Sequence, residues 1–411
     1  MNGISHLELM PEPDDPNLMT AVDADAPGYP GKEYGVSDEE AKELRWPAGP
    51  IMRILWPWGA IGFSLSILIL ILTWSTVAPI IGQVLPDSEW AYEESGIREL
   101  QKSGYSGAGV RVCMVDTGID ISHTAFTDIT LVGFRDFYAG ENDAPRDIGI
   151  ESHGTLMAGL LVANGSYVGS APDVSLSVAI ALGPSGKSTS ESMVSQAIDW
   201  CRISQHADII SLSLGSEPGA GMEAGSETVE AVLEALDEGI FVVSAAGNSE
   251  FHSNNSDVSA PASIARVIAV GAHGRDGGPW KDSATGATTD PFTGEERTFP
   301  NQKPEISAPG VLLWSCISSE NNPPYAYSTG TSDSTVMVTG ALALILEEHG
   351  DSISGQDGKI DSDEMNLVKV ALANSAKMTS NQNENHDSKL GYGLLDAKAW
   401  SDQVAIEFNS A

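Results

Sequence analysis

From about residue 107 the chain alternates short, almost wholly apolar runs with longer amphipathic ones. The runs predict strands over 110–115, 176–181, 209–214, 240–245 and 267–270. The amphipathic stretches predict helices over 152–162, 191–204, 228–238, 332–347 and 363–373. Apolar strands without polar alternation, separated by helices, imply a mostly parallel sheet covered on both faces, a three-layer α/β fold. In such sheets the chemistry gathers at the carboxyl ends of the strands.

The hydropathy pattern changes upstream. Residues 54–86 carry no charged side chain, and the centre, 61–72, is aliphatic on every face of a helix. Such a helix is expected in lipid, so 54–81 reads as one transmembrane signal anchor. Trp58 and Trp74 bracket it about 24 Å apart at the helical rise, near the spacing of interfacial aromatic belts. Residues 1–50 hold eleven acids, three bases and five prolines between Pro11 and Pro30, and are expected to form a disordered acidic tail. Lys42, Arg45 and Arg53 precede the apolar run, whereas Asp87, Glu89, Glu93 and Glu94 follow it. That bias puts the tail in the cytoplasm and the 88–411 domain outside it.

Composition then narrows the partners. Of 411 residues, 57 are Asp or Glu and 21 are Lys or Arg, for a formal net charge of −36. This excess repels polyphosphate, so no nucleic-acid partner is expected, and it suits work at high ionic strength. Cys113, Cys201 and Cys316 are too few for a disulfide framework and are expected as free buried thiols. The eight histidines show no metal-ligand spacing, and no metal or other cofactor is expected.

Four polar residues stand where the sheet rule puts chemistry. Asp116 ends the first strand, and Asn248 follows the 240–245 strand through Ala246 and Gly247. His153 and Ser332 open helices. Each alone is an ordinary cap or turn residue. Together they supply a carboxylate, a base, a nucleophile and an oxyanion donor for acyl transfer. Further short segments accompany them in order: Gly104-Tyr105-Ser106-Gly107, Ile209-Ile210-Ser211-Leu212-Ser213-Leu214-Gly215, Val267-Ile268-Ala269-Val270-Gly271, Ile306-Ser307-Ala308-Pro309-Gly310-Val311 and Gly391-Tyr392-Gly393-Leu394-Leu395-Asp396-Ala397.

Residues 88–400 thus resemble a subtilisin-like (subtilase) serine protease domain. The resemblance implies a peptide or protein substrate cleaved by Ser332 as nucleophile and His153 as general base. Asp116 orients the imidazole, and Asn248 donates to the oxyanion. It further implies that Ser213, Leu214 and Gly215 pair with extended substrate, and that Ala245, Ala246 and Gly247 wall an uncharged pocket above Ser259 and Ala260, suited to apolar side chains.

The sequence also departs from the family. Asp333 follows the nucleophile, and Val336 stands where a proline is usual. A carboxylate there would oppose an oxyanion unless it points to solvent, which keeps a second reading open: a catalytically inactive peptide-binding module on a membrane. Val115-Asp116-Thr117-Gly118 also fits an aspartic-protease motif, but that family needs a second copy and an all-β fold. Ala125 and the short 164–169 loop argue against the family's calcium site. The acidic stretch 357–364 echoes the end of an EF-hand loop but lacks its first two ligands, and a helix-entry turn is expected.

Overall fold

Among the described residues seven strands, apolar except at the β2 edge, pair into one parallel sheet. The computed structural model describes residues 50–81, 88–140, 144–187, 190–214, 226–248, 257–380, 382 and 384–410, with side chains described from Trp58 to Thr73 in the first stretch and to Phe408 in the last. The expected tail therefore lies outside the described residues, apart from Pro50. The chain divides into two units, Met1–Gly82 and Gln83–Ala411.

The described part of the first unit is one helix, α1 (Pro50–Ile81), of 32 residues. Its side chains from Trp58 to Leu72 are exposed. Among the described residues no helix is long and apolar enough to cross a membrane. The stretch with described side chains is about 24 Å long, short of the roughly 30 Å hydrocarbon core.

In the second unit the strands are β1 (Arg111–Asp116), β2 (Thr130–Asp136), β3 (Ser175–Ile180), β4 (Ile209–Leu212), β5 (Phe241–Ala245), β6 (Ile268–His273) and β7 (Ile306–Pro309). Their order across the sheet is β2-β3-β1-β4-β5-β6-β7. Val115 lies opposite Ala179 of β3 and Leu212 of β4, and Leu212 opposite Ser244 of β5. The ends of β1, β4 and β5 are thus side by side. Residues of both parities are buried in β4, β5 and β6, so both faces of the sheet are covered.

The helices of this unit are α2 (Glu89–Glu94), α3 (Ile97–Lys102), α4 (His153–Val162), α5 (Glu191–Asp199), α6 (Glu227–Asp237), α7 (Thr331–Ile353), α8 (Ser362–Ser375) and α9 (Ala397–Ser410). Helix α7 crosses β4 to β7 with α4 beside it, while α5 and α6 pack together against β1 and β5. A separate antiparallel pair, β8 (Val311–Cys316) and β9 (Tyr325–Thr329), leads into α7.

Two expectations change. Cys113 and Cys201 form a disulfide, and only Cys316 is a free, buried thiol. The sequence interval hid the pair, because β1 and the turn after α5 become neighbours only when α5 folds back on the sheet. The 209–214 strand ends at Leu212, so Ser213 and Leu214 leave the ladder. The acidic 357–364 stretch does enter a helix as a capping turn. Asp361 accepts from the Asp363 and Glu364 amides, and Glu364 accepts from the Asp361 amide at 2.6 Å.

Candidate active site

Asp116 is the last residue of β1 and is fully buried, as an apolar strand ending beneath a loop requires. Its Oδ1 accepts from the Thr117 amide at 2.7 Å and lies 2.8 Å from His153 Nδ1. His153 is the first residue of α4. Ser152 before it adopts a left-handed conformation, φ 54°, that turns the chain into the helix. Gly154 is needed behind it, because a Cβ there would stand 2.1 Å from the Gly118 carbonyl oxygen.

A residue that the sequence reading passed over fixes this junction. Asp147 accepts from Thr117 Oγ1 at 2.7 Å and the Gly149 amide at 2.8 Å through one oxygen. Through the other it accepts from the Thr155 amide at 2.7 Å and Thr155 Oγ1 at 2.6 Å. It thereby ties the loop after β1 to the first turn of α4. The only trace in sequence was a carboxylate shortly before a helix N-terminus, which is common.

The imidazole is 31% exposed. Burial disfavours its charged form, but the bonded Asp116 carboxylate, helped by Asp333 and Asp147, outweighs this and raises it to about 9.

Ser332 stands in the first turn of α7 and is half-buried. Its Oγ donates to the Ser213 carbonyl at 3.3 Å, and Ser213 Oγ donates to the Ser332 carbonyl at 3.4 Å. Among the described residues no hydrogen bond joins Ser332 to His153. Asn248 follows β5, and its Oδ1 accepts from the Thr331 amide at 3.1 Å and Thr331 Oγ1 at 2.9 Å. That orientation leaves Nδ2 as the outward donor. A Cβ on Gly330 would stand 3.3 Å from Asn248 Nδ2, 3.7 Å from Ser332 N and 3.5 Å from Asp333 Oδ2, so these three atoms surround one small space.

Ala245 and Ala246 are buried, and Ala246 packs with Val258, Ala262, Ala269 and Ala284. The Ala246 carbonyl accepts from the Ser259 amide at 2.7 Å. Gly247 takes φ 109°, and a Cβ there would come within 2.1 Å of Ser259 Oγ. Ser213, bonded to Ser332, and Leu214 are both buried, whereas Gly215 lies outside the described residues.

Asp333 does not face solvent. It is 1% exposed, accepts from Ser328 Oγ of β9 at 3.0 Å through Oδ2, and leaves Oδ1 buried without a partner. Burial pushes its carboxyl up to about 7, against the Ser328 bond and the His153 charge.

Comparison with known proteins fits this arrangement. Residues 107–393 match the Subtilase family, Peptidase_S8. Subtilisin DY from Bacillus licheniformis is 35% identical over 254 residues, 61% of this chain and 81% of its own. Subtilisin E from Bacillus subtilis (strain 168) is 33% identical over 254 residues, and the chain spans 58% of its length. The solved structure of the prenylagaramide maturation protease PagA shares the fold, with a TM-score of 0.58 at 22% identity, covering 75% of this chain and 98% of that one. Since the match runs through every strand of the sheet and both helices that open at the site, the chain belongs to the subtilase family and is a serine-type peptidase.

Proposed function

We propose that the chain is a membrane-anchored serine endopeptidase that cleaves extended peptide through Asp116, His153 and Ser332, with Asn248 in the oxyanion hole. The observation that carries this is the 2.8 Å Asp116–His153 bond, with Ser332 and Asn248 held at the ends of the neighbouring strands β4 and β5. When a peptide carbonyl arrives, Ser332 Oγ turns from Ser213 toward His153 Nε2 and gives up its proton as it adds to the carbonyl carbon. Asn248 Nδ2 and the Ser332 amide donate to the oxyanion. The imidazolium, stabilised by Asp116, passes the proton to the leaving nitrogen as the C–N bond breaks. Water then attacks the acyl-enzyme by the same steps in reverse. Ser213 to Gly215 would pair with the substrate backbone, and Ala245 to Gly247 would border the pocket for an apolar side chain.

The anchor rests on the sequence alone, the uncharged run of residues 54–86 with its aliphatic centre at 61–72. The Cys113–Cys201 disulfide favours an oxidising compartment for the catalytic domain, in keeping with a cytoplasmic N-terminus and an extracytoplasmic peptidase. A specific observation favours the second reading, an inactive peptide-binding module: the buried Asp333 carboxyl beside the oxyanion donors.

A membrane-impermeant fluorophosphonate, applied to intact cells, tests both parts. Labelling of the membrane fraction that disappears in Ser332→Ala is the expected result. Labelling only after lysis would reverse the orientation, and no labelling of folded protein would favour the inactive module.

A further inference from the structure

Two segments that bond Ala246 and Gly247 are themselves joined by a buried ion pair. Arg297 closes a hairpin in which its amide donates to the Thr288 carbonyl at 2.8 Å. Its side chain is 1% exposed, and both terminal guanidinium nitrogens bond the Asp257 carboxylate, one to each oxygen. The same two nitrogens donate to the Ala287 carbonyl at 2.9 Å and the Ser263 carbonyl at 3.1 Å. Asp257 in turn accepts from the Val258 and Ala287 amides, each at 2.8 Å. The pair thus ties residues 257, 258 and 263 of one segment to residue 287 of another. Each segment also bonds the residues after β5. The Ser259 amide donates to the Ala246 carbonyl at 2.7 Å, and the Ala284 amide to the Gly247 carbonyl at 2.8 Å. Ser259 Oγ and Ala284 Cβ lie 2.1 Å and 3.7 Å from where a Cβ on Gly247 would stand. The side chains packed with Ala246 are small, and such side chains bury too little area to fix a spacing by themselves. A guanidinium fork bound to a carboxylate and two carbonyls does fix one.

We propose that Arg297, acting through Asp257, is a positioning residue for substrate choice: it sets how Ser259 and Ala284 stand against Ala246 and Gly247, and with that the width of the pocket that sorts uncharged side chains ahead of the scissile bond. This rests on Ala245 to Gly247 bordering that pocket. A buried pair with no such duty can be exchanged for uncharged residues at little cost to the fold. Here the exchange leaves the alanine cluster free to spread, and the pocket then accepts side chains that the intact one rejects. One methylene in an apolar pocket changes rates by about 10–200-fold, so a small change of width reads out as a large change of preference.

The test is kcat/KM for chromogenic peptides that differ only in the residue ahead of the scissile bond, alanine, valine, leucine or phenylalanine, with active sites counted by a fluorophosphonate. It is run on the full chain and on Asp257→Asn/Arg297→Met, which leaves no buried charge unpaired. Arg297→Lys serves if that variant does not fold, because an ammonium keeps the charge but not the two-pronged grip. The ratio of best to worst substrate is expected to fall at least about tenfold in the variant. Rates that all fall by a common factor, with the ratio unchanged, would reduce the pair to a structural role and overturn the proposal. A second readout needs no hydrolysis: calorimetric affinities of peptide acids ending in the same four residues, for Ser332→Ala with and without the double substitution. The spread of affinities should narrow with it, and an equal spread would refute the role. Wild type that takes no fluorophosphonate would instead refute the triad, leaving the binding series to decide Arg297 by itself.

Discussion

At the scale of single residues, Asn248 carries a sharp expectation. Its carbonyl oxygen is fixed by two donors from Thr331, so the side chain cannot flip without losing both, and Nδ2 is directed by default. Asn248→Ala should therefore lower kcat by about 10²–10³ with little change in KM, a size taken from the equivalent donor in a subtilisin and not from this geometry. Steady-state kinetics checks it, and an unchanged kcat would place the oxyanion elsewhere. Asp116, His153, Asn248 and Ser332 were legible in sequence because each punctuates an apolar run or opens a helix. Asp147 was not, because its value lies in four donors on three residues, Thr117, Gly149 and Thr155, that only the fold brings together. The burial of Asp333 was hidden for a similar reason: whether a helix's first turn faces solvent depends on what packs over it, here β9.

Among elements, the central strands and the main helices followed the hydropathy pattern to within a few residues, since burial on both faces leaves a continuous apolar run. Strand β2 escaped notice because an edge strand keeps exposed positions, β7 because it is only four residues long and ends in a proline, and β8 and β9 because a two-stranded pair is covered on one side only. A polar cluster under the sheet was likewise invisible. Lys303 and Lys369 both donate to Glu305 Oε1 at 2.8 Å and to the carbonyls of Ala265 and Val267 before β6. Burial lowers Lys303 to about 7, although the Glu305 charge opposes the shift. Between that value and about 10 the unfolded chain binds more protons at this lysine than the folded one, so its contribution to stability rises with pH. His153, raised in the folded state, acts the other way over part of the range, so the comparison must be differential. Urea unfolding of wild type and Lys303→Met from pH 7 to 9 should show wild type gaining on the variant, by at most about 1.4 kcal/mol per pH unit. A constant difference would mean the cluster keeps its proton throughout.

For the molecule as a whole the governing quantity is the net charge of −36. Salt has two opposed effects on it. It weakens ion pairs such as Arg202 with Glu234 and Glu238, but exposed pairs of this kind contribute only about 0–1 kcal/mol each. It also screens repulsion among carboxylates, and with 57 acids to 21 bases most carboxylates have no cationic partner to lose. The buried pairs that tie the fold together, Arg297 with Asp257 and the two lysines with Glu305, lie where salt screens little. Repulsion therefore dominates the balance. Raising ionic strength from about 0.1 M to about 1 M shortens the screening length from roughly 10 Å to 3 Å. The unfolding midpoint should rise across that range, similarly in sodium and potassium chloride, since the effect is screening and not ion binding. A midpoint that falls with salt would show that attractive pairs outweigh self-repulsion despite the acid excess.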